Sequence, residues 1–119
     1  MTTVNEIINC TPHAIVLNDG RTFPVSGNVA RVSMAPSLVG VIDGILTYRN
    51  EAGPITGLPA PVEGNIFIVS AMVLDANSRC LRPRTDLVAP STGNSSTVRN
   101  EAGHIVSVEG FVIVGEFVA

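Results

Sequence analysis

The chain has 119 residues, 45% of them hydrophobic and only 14% charged, with a net charge of −3. That length suits one domain, expected to span residues 1–119, and the apolar content can fill a core, which excludes a disordered tail. The acidic balance argues against a polymer-binding role on DNA or RNA, where a basic face must displace counterions.

Residues 2–9 (TTVNEIIN) mix apolar and polar positions over a length that suits either a short helix or a first strand. They carry neither a basic stretch nor a long apolar run, so no signal peptide is expected and the chain is expected in the cytosol. Thr11-Pro12-His13 breaks the pattern, because a residue before proline is pushed out of the helical region. His13 stands alone and is expected to fix this turn by a hydrogen bond to the backbone. Ala14 to Leu17, the turn Asn18-Asp19-Gly20 and Arg21 to Val25 then read as a tight β-hairpin. Residues 28–34 (NVARVSM) alternate as a third strand, and residues 40–49 (GVIDGILTYR) are strand-like, with Asp43-Gly44 at a bulge or a second turn.

Residues 53–64 hold three prolines and three glycines and read as an ordered loop. Residues 65–69 (NIFIV) form a continuous apolar run, expected to be a buried central strand. Residues 70–78 contain better helix formers, with Ser70 as the cap of a helix of about two turns. The longest apolar run, residues 66–74, is interrupted by Ser70 and is far too short to span a bilayer, so no membrane partner is expected. Periodicity is lost over residues 79–96, and residues 96–118 read as a hairpin followed by an apolar last strand. The expected fold is therefore mainly β (α+β): a compact β-rich core of hairpins with one or two short helices. Aromatic side chains are few, so valine and isoleucine must supply the core, and the low charge favours burial against copies of the same chain.

One pentapeptide occurs twice, Arg49-Asn50-Glu51-Ala52-Gly53 and Arg99-Asn100-Glu101-Ala102-Gly103. The flanks do not match, so shared turn chemistry rather than duplication is the better account, with a hairpin loop expected at each copy. The two cysteines, Cys10 and Cys80, are too few for a disulfide scaffold and are expected to be small buried thiols.

Catalysis needs an activated nucleophile or a positioned acid–base pair. The two histidines, His13 and His104, each sit apart from other candidate groups, and His104 reads as a surface strand residue. No zinc-ligand spacing occurs, and a phosphate-binding loop that requires lysine cannot form in a chain without one. An enzyme is the weakest expectation, and neither a metal nor a cofactor is expected. All seven basic residues are arginines, whose planar forks hold phosphates bidentately, although base composition of the genome produces the same imbalance. Residues 79–99 (RCLRPRTDLVAPSTGNSSTVR) concentrate four of them, Arg79, Arg82, Arg84 and Arg99, with Asp86, Thr92, Asn94 and two adjacent serines. Such a segment suits a phosphorylated ligand, with Asp86 orienting Arg84 or accepting from a hydroxyl; a solvated loop with Arg–Asp pairing has the same composition. Arg31 lies in an alternating strand, where a symmetric oligomer would place several copies of it around an axis.

The ordered series Asn9-Cys10-Thr11-Pro12-His13, Ala30-Arg31-Val32, Gly57-Leu58-Pro59, Ile68-Val69-Ser70 and Arg84-Thr85-Asp86-Leu87 with Pro90 resembles a family of small phage proteins over nearly the whole chain. That family is the first-described type of Thoeris anti-defence protein, sponges for nucleotide signals made by bacterial immune enzymes. The resemblance implies a β-rich core with a helix, dimers that build into hexamers, and binding of glycocyclic ADP-ribose without cleavage. It also implies cyclic oligonucleotides held in separate pockets around an axis. Arg31 matches the position implied for the cyclic-oligonucleotide pocket; Arg82, Arg84, Asp86 and Arg99 match the cyclic ADP-ribose pocket. An aromatic is implied against the adenine, yet Met72 and Val73 occupy that stretch, so either an arginine stacks instead or another ligand is preferred. The rival expectations are a phage structural or assembly protein forming a homo-oligomer, and an enzyme with an unrecognised site.

Overall fold

A chain with short apolar runs bounded by turn residues can bury its backbone polar groups by pairing those runs in a sheet covered on its faces. A computed structural model of the chain describes residues 6–93 and 97–114. Strands β1 (Glu6–Asn9), β6 (Asn65–Ile68) and β7 (Leu87–Pro90) run parallel in that order, and β10 (Phe111–Val112) adds antiparallel to β7. The opening segment is thus an edge strand and not a helix, while the residue 65–69 run supplies the central strand expected of it. Pairing continues past the strand ends, with Cys10 N–H donating to the Ile68 carbonyl at 2.8 Å and Val69 N–H to that of Val88 at 2.8 Å.

Helix α1 (Ala71–Ser78) carries the chain from β6 to β7. Ser70 caps it as the sequence suggests, its Oγ accepting from Val73 N–H at 3.2 Å, a cap worth about 1 kcal/mol. Val73 and Leu74 turn inward onto Phe67, Val69, Leu87, Ala89, Cys10 and Ala30, and this cluster is the core. Each large side chain buried there contributes on the order of 1.5–3 kcal/mol. Residues 79–96 are not one long loop: β7 interrupts them, with Leu87, Val88 and Ala89 buried. Cys10 is buried as expected, but Cys80 is exposed beyond the end of α1, a correction to the reading of both thiols as buried.

Two small hairpins flank the sheet. Strands β2 (Ile15–Val16) and β3 (Thr22–Phe23) pair antiparallel around the expected turn, with Gly20 at φ 96° and Leu17 N–H donating to the Arg21 carbonyl at 2.8 Å. Hydrogen bonds from Arg21, its backbone N–H foremost, hold the Asp19 carboxyl below its usual range. Strands β8 (Val98–Arg99) and β9 (Ile105–Ser107) form the second hairpin, and Asn18 N–H to the Val108 carbonyl at 2.7 Å ties the two together.

The largest departure from the sequence reading is a ribbon. Strands β4 (Arg31–Ile42) and β5 (Ile45–Thr56) are 12 residues each and pair antiparallel through a turn with Asp43 at φ 48° and Gly44 at φ 77°. The tight-turn alternative for Asp43-Gly44 is the one realised. The strand expected over residues 28–34 starts later and runs further, and the loop expected from residue 53 begins only at Gly57. Val32 and Ile55 at the ribbon base pack on the core.

The repeated pentapeptide adopts two structures. At residues 99–103 it makes the expected turn: Gly103 has φ 82°, and Asn100 Oδ1 accepts from the N–H groups of Ala102 and His104 at 3.0 Å each. At residues 49–53 it is extended inside β5, paired through Asn50 with Pro36 and through Glu51 with Ala35. The expected second hairpin loop does not exist, because a facing strand supplies partners that the isolated sequence finds only within itself.

Candidate functional site

Arg84 is the best-anchored charged group in the arginine-rich segment, and Asn77 holds its backbone. Asn77 is buried in the last turn of α1, its Nδ2 donating to the Arg84 carbonyl at 2.9 Å and its Oδ1 accepting from Arg84 N–H at 3.0 Å. With the backbone fixed on both sides, the guanidinium is aimed at Asp86. Nε donates to Oδ1 at 3.0 Å and Nη2 to Oδ2 at 2.7 Å, a bidentate fork between side chains 22% and 18% exposed. Nη1 donates to the Pro59 carbonyl at 2.7 Å, and the guanidinium carbon lies 5.3 Å from the Phe67 ring centroid. The cleft beside Arg84, lined among others by Ile66, Leu74, Asn77 and Val114, has room for about one water molecule.

The other predicted site residues are spread over the molecule. Arg82 is exposed before β7 and has no ion pair among the described residues; Asp75 pairs instead with Arg79, at 3.2 Å. Thr92 is exposed beyond the other end of β7, and Met72 lies in the first turn of α1, also just past the C-terminal end of a parallel strand. Sheet direction therefore puts Met72 and Thr92 at the end opposite Arg84 and Asp86. Arg99 is exposed on β8 and donates from Nη1 to the Gly103 carbonyl at 3.0 Å, closing its own turn. Arg31 is the first residue of β4, exposed and facing Thr56 in register. Asn94 lies outside the described residues. One chain thus pairs Arg84 with Asp86 and sets Met72 and Thr92 at the other end of the sheet, and no hydrogen bond or ion pair among the described residues links Arg31, Arg82 or Arg99 to that pair.

The segments that carry the family resemblance make a second set of fixed contacts. Asn9 is buried at the end of β1; its Nδ2 donates to the carbonyls of His13 at 2.8 Å and Phe23 at 2.9 Å, and its Oδ1 accepts from Thr11 N–H and Oγ1. The His13 carbonyl lies 2.8 Å from the same Thr11 hydroxyl and shares its single proton with Asn9 Oδ1. His13 does fix this turn, but through its backbone oxygen. Gly57 has φ 80°, and a Cβ there would stand 2.2 Å from the Val29 carbonyl oxygen.

Asn77, β7 and the full length of the β4–β5 ribbon are what the sequence reading missed. Asn77 offers no signal, since an asparagine near the end of an amphipathic segment is ordinary; the ribbon had one, in the alternation of Met34, Pro36 and Leu38. Among the described residues no group of three or more histidine, cysteine, aspartate or glutamate side chains is placed to hold a metal ion. No helix among them is long and apolar enough to cross a membrane. Comparison with family models, with curated proteins and with solved structures yields no match to the chain.

Proposed function

We propose that this protein is a homo-oligomeric, non-catalytic sponge that sequesters nucleotide second messengers, glycocyclic ADP-ribose and cyclic di- and trinucleotides, in pockets walled by more than one copy. The observation that carries the reading is the state of the arginines. Arg31 and Arg82 are exposed with no ion pair among the described residues, while the Asp86 carboxylate is already held by Arg84. Free guanidinium forks suit the phosphates of a cyclic nucleotide, and the resemblance of the ordered motifs points to the same ligand class. In this reading Arg84 and Asp86 fix the wall of a pocket, and Arg31, Arg82 and Arg99 meet the ligand from different protomers. Sequestration needs slow release and a protein supply at least equal to the messenger, which pockets closed between protomers favour.

A phage structural or assembly protein is the second reading, favoured by the exposed apolar ribbon. One experiment separates them. The purified protein is incubated with a panel of cyclic nucleotides, washed, and heated to unfold it. A sponge returns the intact ligand in amounts proportional to protein, an enzyme returns products, and an assembly protein returns nothing.

A further inference from the structure

We propose that one face of the β4–β5 ribbon is the seat of a second copy of this chain, the same face of two ribbons packing together about a two-fold axis. Residues directly opposite in an antiparallel pair share a face, so the register defines both faces. Val32 and Ile55, on the core at the ribbon base, are followed on their face by the pairs Met34–Ala52, Pro36–Asn50, Leu38–Tyr48 and Val41–Leu46. Two register breaks keep that face continuous: an extra residue in β5 before Ile55, and an extra residue in β4 at Val39. The opposite face carries Ser37, Thr47, Arg49 and Glu51 along its length, with Ile42 and Ile45 beside the turn at its tip. The core face of the ribbon therefore runs on beyond the body as an uncharged apolar surface, where Met34, Leu38, Val41, Leu46 and Tyr48 are 48–60% exposed.

A two-stranded ribbon with an uncovered apolar face is at best marginally stable in water. The chain as a whole is also more open than a compact fold. The chain exposes 8083 Å², whereas a compact monomer of its mass exposes about 6,100 Å². Its radius of gyration is 16.7 Å against about 13.5 Å for a compact domain of this length. The excess of roughly 2,000 Å² exceeds the ~800 Å² per partner that a stable interface buries.

Three features select a second copy at the face. Pro36 and Pro54 lack the N–H that an added strand needs, and the bulges distort both edges, so edge-to-edge extension is disfavoured. The apolar face carries no charged residue to select a different protein, and depletion of charge is the mark of homodimer cores. The face is also mainly aliphatic, with Tyr48 near its middle, so two copies related by a two-fold axis can pack it as two layers about 10 Å apart.

This inference names the surface of the oligomer in the function proposed above, and it is tested on assembly alone, so loss of nucleotide binding leaves it standing. Light scattering of the purified chain is expected to give at least twice the 12.4 kDa chain mass, and Leu38→Asp is expected to give one chain mass with an unchanged circular dichroism spectrum. If Leu38→Asp fails to fold, cross-linking decides. In a Cys80→Ser background, Leu38→Cys is expected to give a dimer band with a short bismaleimide, and Arg49→Cys on the polar face none. A monomeric wild type, an assembly unchanged by Leu38→Asp, or equal cross-linking from both faces would overturn the proposal.

Discussion

Replacing Arg84 with alanine tests whether this arginine holds the fold or waits for a ligand. The truncation removes a bidentate fork to Asp86, a 2.7 Å bond to the Pro59 carbonyl and a cation stacked on Phe67. It leaves a mostly buried carboxylate without its partner, about 2 kcal/mol, and strands a carbonyl for about 1 kcal/mol more. Loss of the ring contact adds on the order of 0.5 kcal/mol. The sum, about 3.5 kcal/mol, corresponds to a fall in Tm of roughly 14 °C for a chain of this length, at about 4 °C per kcal/mol. Differential scanning calorimetry at matched protein concentration reads the shift. Arg84→Lys, which keeps the charge and loses the fork, is expected to lie between wild type and alanine. A double-mutant cycle with Asp86→Asn should return a coupling of about 1–2 kcal/mol. If Arg84→Ala moves Tm by less than about 3 °C while messenger binding disappears, the structural account of Arg84 is wrong.

Further outcomes can be checked one by one. Gly57→Ala is expected to cost at least about 3 kcal/mol in urea unfolding, because the added Cβ meets the Val29 carbonyl at 2.2 Å on a backbone with φ 80°. Asn77→Asp is expected to destabilise more than Asn77→Ala, since a carboxylate keeps the bond from Arg84 N–H but sets a negative charge against the Arg84 carbonyl. One thiol per chain, Cys80, should react rapidly with a disulfide reagent, and Cys10 only on unfolding. Burial pushes the Cys10 thiol above its usual value of 9.0, so the stability it contributes is complete below that pH and falls as the pH rises through the native value; Cys10→Ala should flatten this alkaline slope. Arg31→Ala and Arg99→Ala are each expected to abolish binding of one messenger class in calorimetric titration while the oligomer stays intact.

Local chemistry was readable from the sequence, and cross-chain chemistry was not. The β2–β3 turn needs only Asp19 and Gly20, and α1 needs only Ser70 and the helix formers after it, so both are visible in a short window. Strand β7 was missed because Leu87, Val88 and Ala89 are three apolar residues set among polar ones, and their identity as a strand comes from β6 alongside. Gly53 and Pro54 read as a loop, yet in β5 they occupy an irregularity where a missing N–H is tolerated. The repeated pentapeptide makes the same point, since one copy closes a turn on its own side chains and the other is held open by Ala35 and Pro36. For the site, Arg84 and Asp86 were paired on sequence, but Asn77, which fixes the Arg84 backbone, came from an element seven residues away.

The parallel pairing of β1 with β6 also shapes how the chain reaches its structure. Glu6 meets Asn65 only after everything between them has been drawn into a closed loop, whereas the β2–β3 and β4–β5 hairpins close over a few residues. Hairpins of that kind form within microseconds, and long loops carry an entropic cost repaid only when the sheet zips. The ribbon can therefore be formed, with its apolar face bare, before β1 is in place and the core is sealed. In that interval the bare apolar face is open to other unfinished chains, so folding competes with aggregation in time, and slower docking of β1 lengthens the exposure.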